Sequence, residues 1–174
     1  MRTLVLDPPP QQMEELLERR RHMGADRRDE VWEGVYHMVP GPSADHSLVA
    51  QQLAVLLDAP ARTAGFLVTA EFNLGAHGDF RVPDLGIHRE RPRGTWIAIA
   101  AVVVEIVSPG DETWEKLPFY AEHGVDELLL VDPDSRSVEL LSLKAGTYRR
   151  QEQSELIELS ASELARRIDW PAQD

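Results

Sequence analysis

The sequence predicts a mixed α/β domain in which one mixed β-sheet is flanked by helices. Three observations carry this reading. The predicted elements run α, ββ, α, several strands, α and then strands again. A strand–helix–strand unit spans residues 101–131, so part of the sheet is parallel. The apolar runs at 101–107 and 128–131 are continuous rather than alternating, which suits central strands covered on both faces. No repeat, low-complexity tract or linker divides the 174 residues, so a single domain over 1–174 is expected, with its core over about 30–145.

Each element follows from local chemistry. Pro8-Pro9-Pro10 makes residues 1–10 an extended leader. A helix is predicted from Gln11 to His22, with Met13, Leu16 and Leu17 inward, and Gly24 stops it. Residues 30–39 read as two short strands around a tight turn at Glu33-Gly34. Ser43 caps a long helix over Ala44–Thr63, whose core stripe is Leu48, Val49, Leu53, Leu56 and Leu57, and Gly65 closes it. Phe66–Leu74 and Arg81–His88 are strand-like, joined through Gly75, Gly78 and Asp79. The run 101–107 has the strongest β character, and Ser108-Pro109-Gly110 breaks it. A helix is predicted from Asp111 to His123, ending at Gly124. Strands follow at Leu128–Val131 and Val138–Leu143, with weaker ones near Tyr148 and Leu156. Ser160 and Glu163 form a capping box for a last short helix.

Composition narrows the chemistry. The chain has no cysteine, which removes disulfides, thiol catalysis and Cys-ligated zinc, and fits a reducing cytoplasm. Its N-terminal apolar stretch is too short for a signal peptide, and no apolar run reaches the roughly 20 residues of a membrane helix. A cytosolic protein with no membrane partner is expected. The net charge of −12 opposes a polyanionic partner, but the charge is unevenly spread. Residues 1–104 carry 11 basic and 14 acidic side chains; residues 105–174 carry 7 and 16. Half of the basic residues lie in two short segments, Arg19, Arg20, Arg21, Arg27 and Arg28, and Arg81, Arg89, Arg91 and Arg93. These are either solvated surface patches or phosphate contacts.

Glu105 is the most informative residue. It lies inside Val102-Val103-Val104-Glu105-Ile106-Val107, where an unpaired carboxylate would cost several kcal/mol. A metal, a proton or a cation must answer it, and a structural salt bridge to an arginine is the alternative. Asp84 follows Pro83 at the head of Leu85-Gly86-Ile87. Paired with Glu105 on a neighbouring strand, it gives two oxygen ligands fit for Mg²⁺ or Mn²⁺. Lys116 lies on the helix leaving the Glu105 strand. It either stabilises charge on a phosphate or positions the attacking water, or is a surface lysine paired with Glu112. The histidines show no metal-ligand spacing, and His46 reads as a packing or capping residue. The tryptophans are too scattered for a base-stacking platform, and no phosphate-binding glycine loop is present.

Several pieces, in order, resemble the Uma2 (DUF820) family within the PD-(D/E)xK nuclease superfamily. They are Glu33-Gly34-Val35-Tyr36, Val39-Pro40 with His46, and Arg81-Val82-Pro83-Asp84. Val104-Glu105-Ile106-Val107-Ser108-Pro109 follows, then Lys116 with Tyr120, and Gly124-Val125-Asp126-Glu127 leading to Leu130-Val131-Asp132-Pro133. The resemblance implies a restriction-endonuclease-like fold and Mg²⁺-dependent hydrolysis of DNA phosphodiesters. Asp84 and Glu105 take the family's metal-ligand positions, and Lys116 is the third catalytic residue. The superfamily's lysine stands two residues after the second acid; Val107 occupies that position here, so Lys116 acts from the following helix. Glu33 resembles an early acidic residue of the family and is either a further ligand or a turn residue. Glu71 is a second additional candidate. Arg81, Arg89 and Arg91 are the expected phosphate contacts, with Arg81 and Arg89 nearest the cut because they flank Asp84 in sequence. A homodimer suits double-strand cleavage. Two rival readings remain, a catalytically inactive relative that binds nucleic acid or protein, and a hydrolase of small phosphoesters.

Overall fold

In a computed structural model, residues 4–6, 14–110 and 112–172 are described. Two six-stranded sheets pack with four helices. The first sheet has the order β1-β3-β2-β6-β5-β8, from β1 (Leu4–Leu6), β2 (Glu30–Trp32), β3 (Val35–Met38), β5 (Asn73–Ala76), β6 (Asp79–Arg81) and β8 (Trp96–Ile97). The second has the order β12-β11-β10-β9-β7-β4, from β4 (Leu67–Thr69), β7 (Leu85–His88), β9 (Val102–Ile106), β10 (Glu127–Asp132), β11 (Ser137–Lys144) and β12 (Thr147–Gln151). β9 and β10 are parallel, and every other pair in the second sheet is antiparallel. The helices are α1 (Glu14–His22), α2 (Ala44–Thr63), α3 (Leu117–Glu122) and α4 (Ala161–Arg167).

The strand–helix–strand unit is parallel as the sequence predicts, but two sheets replace the single one expected. The division comes from the long β segments, each of which breaks in the middle. Phe66–Leu74 becomes β4 and β5, and Arg81–His88 becomes β6 and β7, so each segment contributes one strand to each sheet. Pro83 sits at the second break, where its missing N–H removes a ladder bond. Leu4–Leu6, expected to belong to an extended leader, pairs with β3. The predicted helix starts at Gln11 and Asp111, Met13 and the Pro8–Pro10 stretch lie outside the described residues.

β9 is buried along its whole length. On one face Val102, Val104 and Ile106 pack with Leu85 and Ile87 against Val49, Leu53, Leu57 and Ala61 of α2 and Leu164 of α4. On the other face Val103 packs with Leu74, Phe119, Tyr120, Leu128 and Leu130. Ser43 caps α2 by accepting from the His46 N–H at 3.1 Å. Leu48, expected in the core stripe of α2, is 61% exposed, and Leu16 of α1 also faces outward. The segment 111–123 is shorter as a helix than its sequence suggests, with a 3₁₀ turn at Trp114–Lys116 leading into α3. Pro118 at the second position of α3 fits a helix start rather than an interior. Near Leu156 the chain makes no strand, only an isolated bridge between Gln153 and Ser160.

Candidate functional site

The break between β6 and β7 creates the site. Leu85 pairs with Val104, so one further step sets Asp84 opposite Glu105. Side chains alternate along a strand. Val104 and Ile106 face α2, so Glu105 shares the opposite face with Val103 and points toward α3.

Glu105 is only 3% exposed. The Tyr120 hydroxyl donates to its Oε1, and Lys116 Nζ lies 3.2 Å from the same oxygen. Lys116 is held from the other side by Glu30 of β2, whose Oε1 is 2.9 Å away. Glu30 is in turn fixed by the Val82 N–H at 2.8 Å and the Trp32 indole N–H at 2.7 Å. Asp84 is 7% exposed. Its Oδ2 accepts from the Ile106 N–H at 2.9 Å, and its Oδ1 lies 2.8 Å from His46 Nε2 and 3.4 Å from Arg28 Nη1. The other terminal nitrogen of Arg28 pairs with Glu71. Asp84, Glu105, Lys116, Glu30, His46 and Arg28 line a cavity of about 190 Å³ whose walls include Val39–Ser43 and Ser108–Pro109.

The two facing carboxyls are driven apart electrostatically. Burial raises the Glu105 pKa, the Lys116 charge opposes the rise, and the charges of Asp84 and Glu30 reinforce it, leaving it at about 7. Burial acts the same way on Asp84. The hydrogen bond and charge of His46, the Ile106 amide and the Arg28 charge outweigh it and hold this carboxyl below its usual range. Burial disfavours charge on Lys116, but Glu105 and Glu30 overcome that and hold it well above its ordinary value as a cation. Burial and the same two carboxylates raise Tyr120, which therefore remains a donor.

The structure brings Asp84, Glu105 and Lys116 together and sets other candidates elsewhere. Glu33 occupies the β2–β3 turn with φ of 50°, exposed and outside the cavity, its N–H donating to Asp79. The early acid that reaches the site is Glu30. Glu71 touches the site only through Arg28. Arg81 is 5% exposed, with its guanidinium 4.4 Å from the Trp32 ring centre and 4.0 Å from that of Phe119. Its Nη1 donates to Asp79 at 2.9 Å and to the Val31 carbonyl at 3.0 Å. It is a packed core cation, not a surface group open to a phosphate. Arg89 lies beyond the far end of β7, roughly 17 Å along the strand from Asp84 at about 3.4 Å per residue. There it pairs with Asp126 at 2.9 Å, just before β10. Arg91 lies in the same far-end loop, exposed, beside Arg93 and Trp96. Adjacency in sequence set Arg89 beside the cut, but an extended strand carries its ends apart.

Glu30 was not singled out from the sequence, His46 was read as a packing or capping residue, and Arg28 only as one of a cluster of arginines. His46 gives a weak signal, an ionisable ring three residues after a helix cap. Arg28 is submerged in a cluster of arginines, and nothing local distinguishes Glu30 from Glu33.

Among the described residues, no group of three or more His, Asp or Glu side chains is disposed to hold a metal ion. Asp84 and Glu105 nevertheless suit a cation that keeps several waters and takes only one or two carboxylates, completing its shell from substrate phosphate, which is how Mg²⁺ binds. A dedicated all-protein cage, as for tightly held Ca²⁺, does not fit.

The Uma2 family, described as "Putative restriction endonuclease", matches residues 11–171. The chain belongs to the Uma2 family. Among solved structures it is similar to a chain from Anabaena variabilis described as "a putative nuclease belonging to DUF820". The TM-score is 0.65 at 18% identity, over 80% of this chain and 90% of that one, a likeness of fold. No functionally curated protein matches. No helix among the described residues of this Uma2 chain is long and apolar enough to cross a membrane.

Proposed function

We propose that this Uma2 chain is a Mg²⁺- or Mn²⁺-dependent endonuclease that hydrolyses DNA phosphodiester bonds. The observation that supports it most is the opposition of Asp84, just before β7, and Glu105 of β9, with the Lys116 ammonium against Glu105 and all three lining one cavity. The family and the fold support the nuclease class; metal and DNA are our reading of the residues.

Asp84 and Glu105 would hold the metal, which supplies Lewis-acid polarisation of a phosphate oxygen and activation of water. The chain's own groups do the rest. The Ile106 amide and His46 fix the Asp84 carboxylate in place. Glu30 and Glu105 hold Lys116 as a cation at the cavity, where it offsets negative charge that develops on the phosphate. Tyr120 donates to Glu105 and orients it. Lys116 thus reaches the acid pair from the 3₁₀ turn rather than from two residues after Glu105. Phosphates flanking the cut would meet Arg19, Arg21 and Arg27, exposed on the segment that ends at Arg28 in the cavity wall.

Titration calorimetry with Mn²⁺ tests the metal. Wild type should bind, while Asp84→Asn and Glu105→Gln should each lose most of the affinity. Unchanged binding by both variants defeats the proposal. One observation favours the alternative of a catalytically inactive binding module: each acid is already answered by an internal cation, Asp84 by Arg28 and Glu105 by Lys116. That alternative expects no metal affinity in the wild type.

A further inference from the structure

The cavity holds a cation that the proposed reaction has not used. Arg28 enters from the segment between α1 and β2, and its side chain is 19% exposed. Its Nη1 lies 3.4 Å from both Asp84 Oδ1 and His46 Nε2, and its Nη2 donates to Glu71 Oε1. Its situation differs from that of Lys116. Lys116 is clamped between Glu30 and Glu105, both almost fully buried. Arg28 touches Asp84 at the long limit of a hydrogen bond, and its other anchor, Glu71, is 39% exposed. Ion pairs that reach water are weak, so this anchorage is readily given up.

Asp84 would still be held without Arg28, because His46 and the Ile106 amide bind it independently. A divalent cation held by Asp84 would share that carboxylate with the guanidinium, and two like charges so close repel strongly at a site this buried. A guanidinium also matches phosphate with a bidentate fork, better than it matches the single Asp84 oxygen it touches here.

We propose that Arg28 is a displaceable cap on Asp84: it neutralises the carboxylate while no metal is bound, and passes to a substrate phosphate when metal and nucleic acid enter. This rests on the nuclease reading of the site. In it, Arg28 and the metal exclude each other at Asp84, and substrate gives Arg28 somewhere to go. Free protein would then hold metal measurably but less tightly than protein with nucleic acid.

The exchange makes two effects of one substitution run in opposite directions. On the full chain, Arg28→Ala should bind Mn²⁺ roughly tenfold more tightly than wild type, because the competing charge is gone. The same variant should bind a short DNA duplex more weakly in Ca²⁺, with a salt slope smaller by about 0.9, the loss of one phosphate contact. Calorimetry reads the first and fluorescence anisotropy over a salt series reads the second. A merely structural arginine would weaken both. Arg28→Lys guards against misfolding of the alanine variant. Its ammonium cannot span Asp84 and Glu71 together, so it should also bind Mn²⁺ more tightly than wild type while keeping the wild-type salt slope. Mn²⁺ affinity in the variants at or below wild type overturns the proposal, as does an unchanged slope in Arg28→Ala or a lost slope in Arg28→Lys. If wild type binds Mn²⁺ and DNA while Arg28→Ala behaves identically, the exchange alone fails. Absence of Mn²⁺ binding in every form removes the nuclease reading and the exchange together.

Discussion

Glu105 should make the metal-free protein less stable as pH rises. Its carboxyl has an ordinary pKa of 4.5 and one of about 7 when folded, because burial and the charges of Asp84 and Glu30 outweigh the help from Lys116. The folded state therefore binds more protons than the unfolded state between those values. Stability from this group is fully present below pH 4.5 and is lost as pH rises through about 7. At about 1.4 kcal/mol per pH unit, the loss amounts to about 3 kcal/mol. Asp84 acts in the opposite sense, since its lowered pKa gives stability that disappears only as pH falls through its folded value. Comparing wild type with Glu105→Gln cancels that contribution, because the glutamine mimics the protonated acid and leaves Asp84 in place. Urea unfolding in EDTA from pH 4 to pH 8 is the assay. The two proteins should nearly coincide at pH 4, and wild type should fall behind by about 3 kcal/mol at pH 8. Parallel stability curves would refute the claim that Glu105 is held in a place hostile to its charge.

Two further substitutions probe the surroundings. Glu30→Ala removes the second anchor of Lys116 and strands the buried Val82 amide and the half-buried Trp32 indole N–H. It should cost about 3–5 kcal/mol, read as a lowered denaturation midpoint, and a loss under 1 kcal/mol would mean that Glu30 is not a structural partner of Lys116. Arg81→Lys loses the guanidinium held between the Trp32 and Phe119 rings, so the melting temperature should drop while the salt slope of DNA binding stays at wild type. A reduced slope would return Arg81 to the role of a phosphate contact.

The legible parts of the fold were those with strong local chemistry. Ser43 and Thr63 bound α2 as the cap and the helical stripe indicated, and the apolar runs gave β9 and β10. Glu105 stood out because a charge inside a valine run has no inexpensive solution. Division into two sheets was not legible, because strand assignment depends on how a segment bends, and Pro83 marks a break without saying where each half goes. The outward face of Leu48 was hidden for a related reason. The helical period defines a stripe, but the neighbours of the helix decide its width. At the site, Glu30 and Arg28 arrive from segments 54 and 56 residues before Asp84, and only tertiary packing relates them to it. Arg89 shows the converse error, in which nearness in sequence stood for nearness in space.

Plasmid nicking tests the central claim most directly. Supercoiled DNA is incubated with wild type and with Asp84→Asn, each in Mg²⁺, in Mn²⁺ and in EDTA, after circular dichroism has shown both proteins folded. The account expects wild type to convert supercoiled to open-circular or linear DNA only with a divalent cation. Asp84→Asn should be slower by at least about a hundredfold, the scale on which removing one transition-state contact acts. Nicking in EDTA, nicking by the variant at the wild-type rate, or no nicking by wild type in either cation would contradict it.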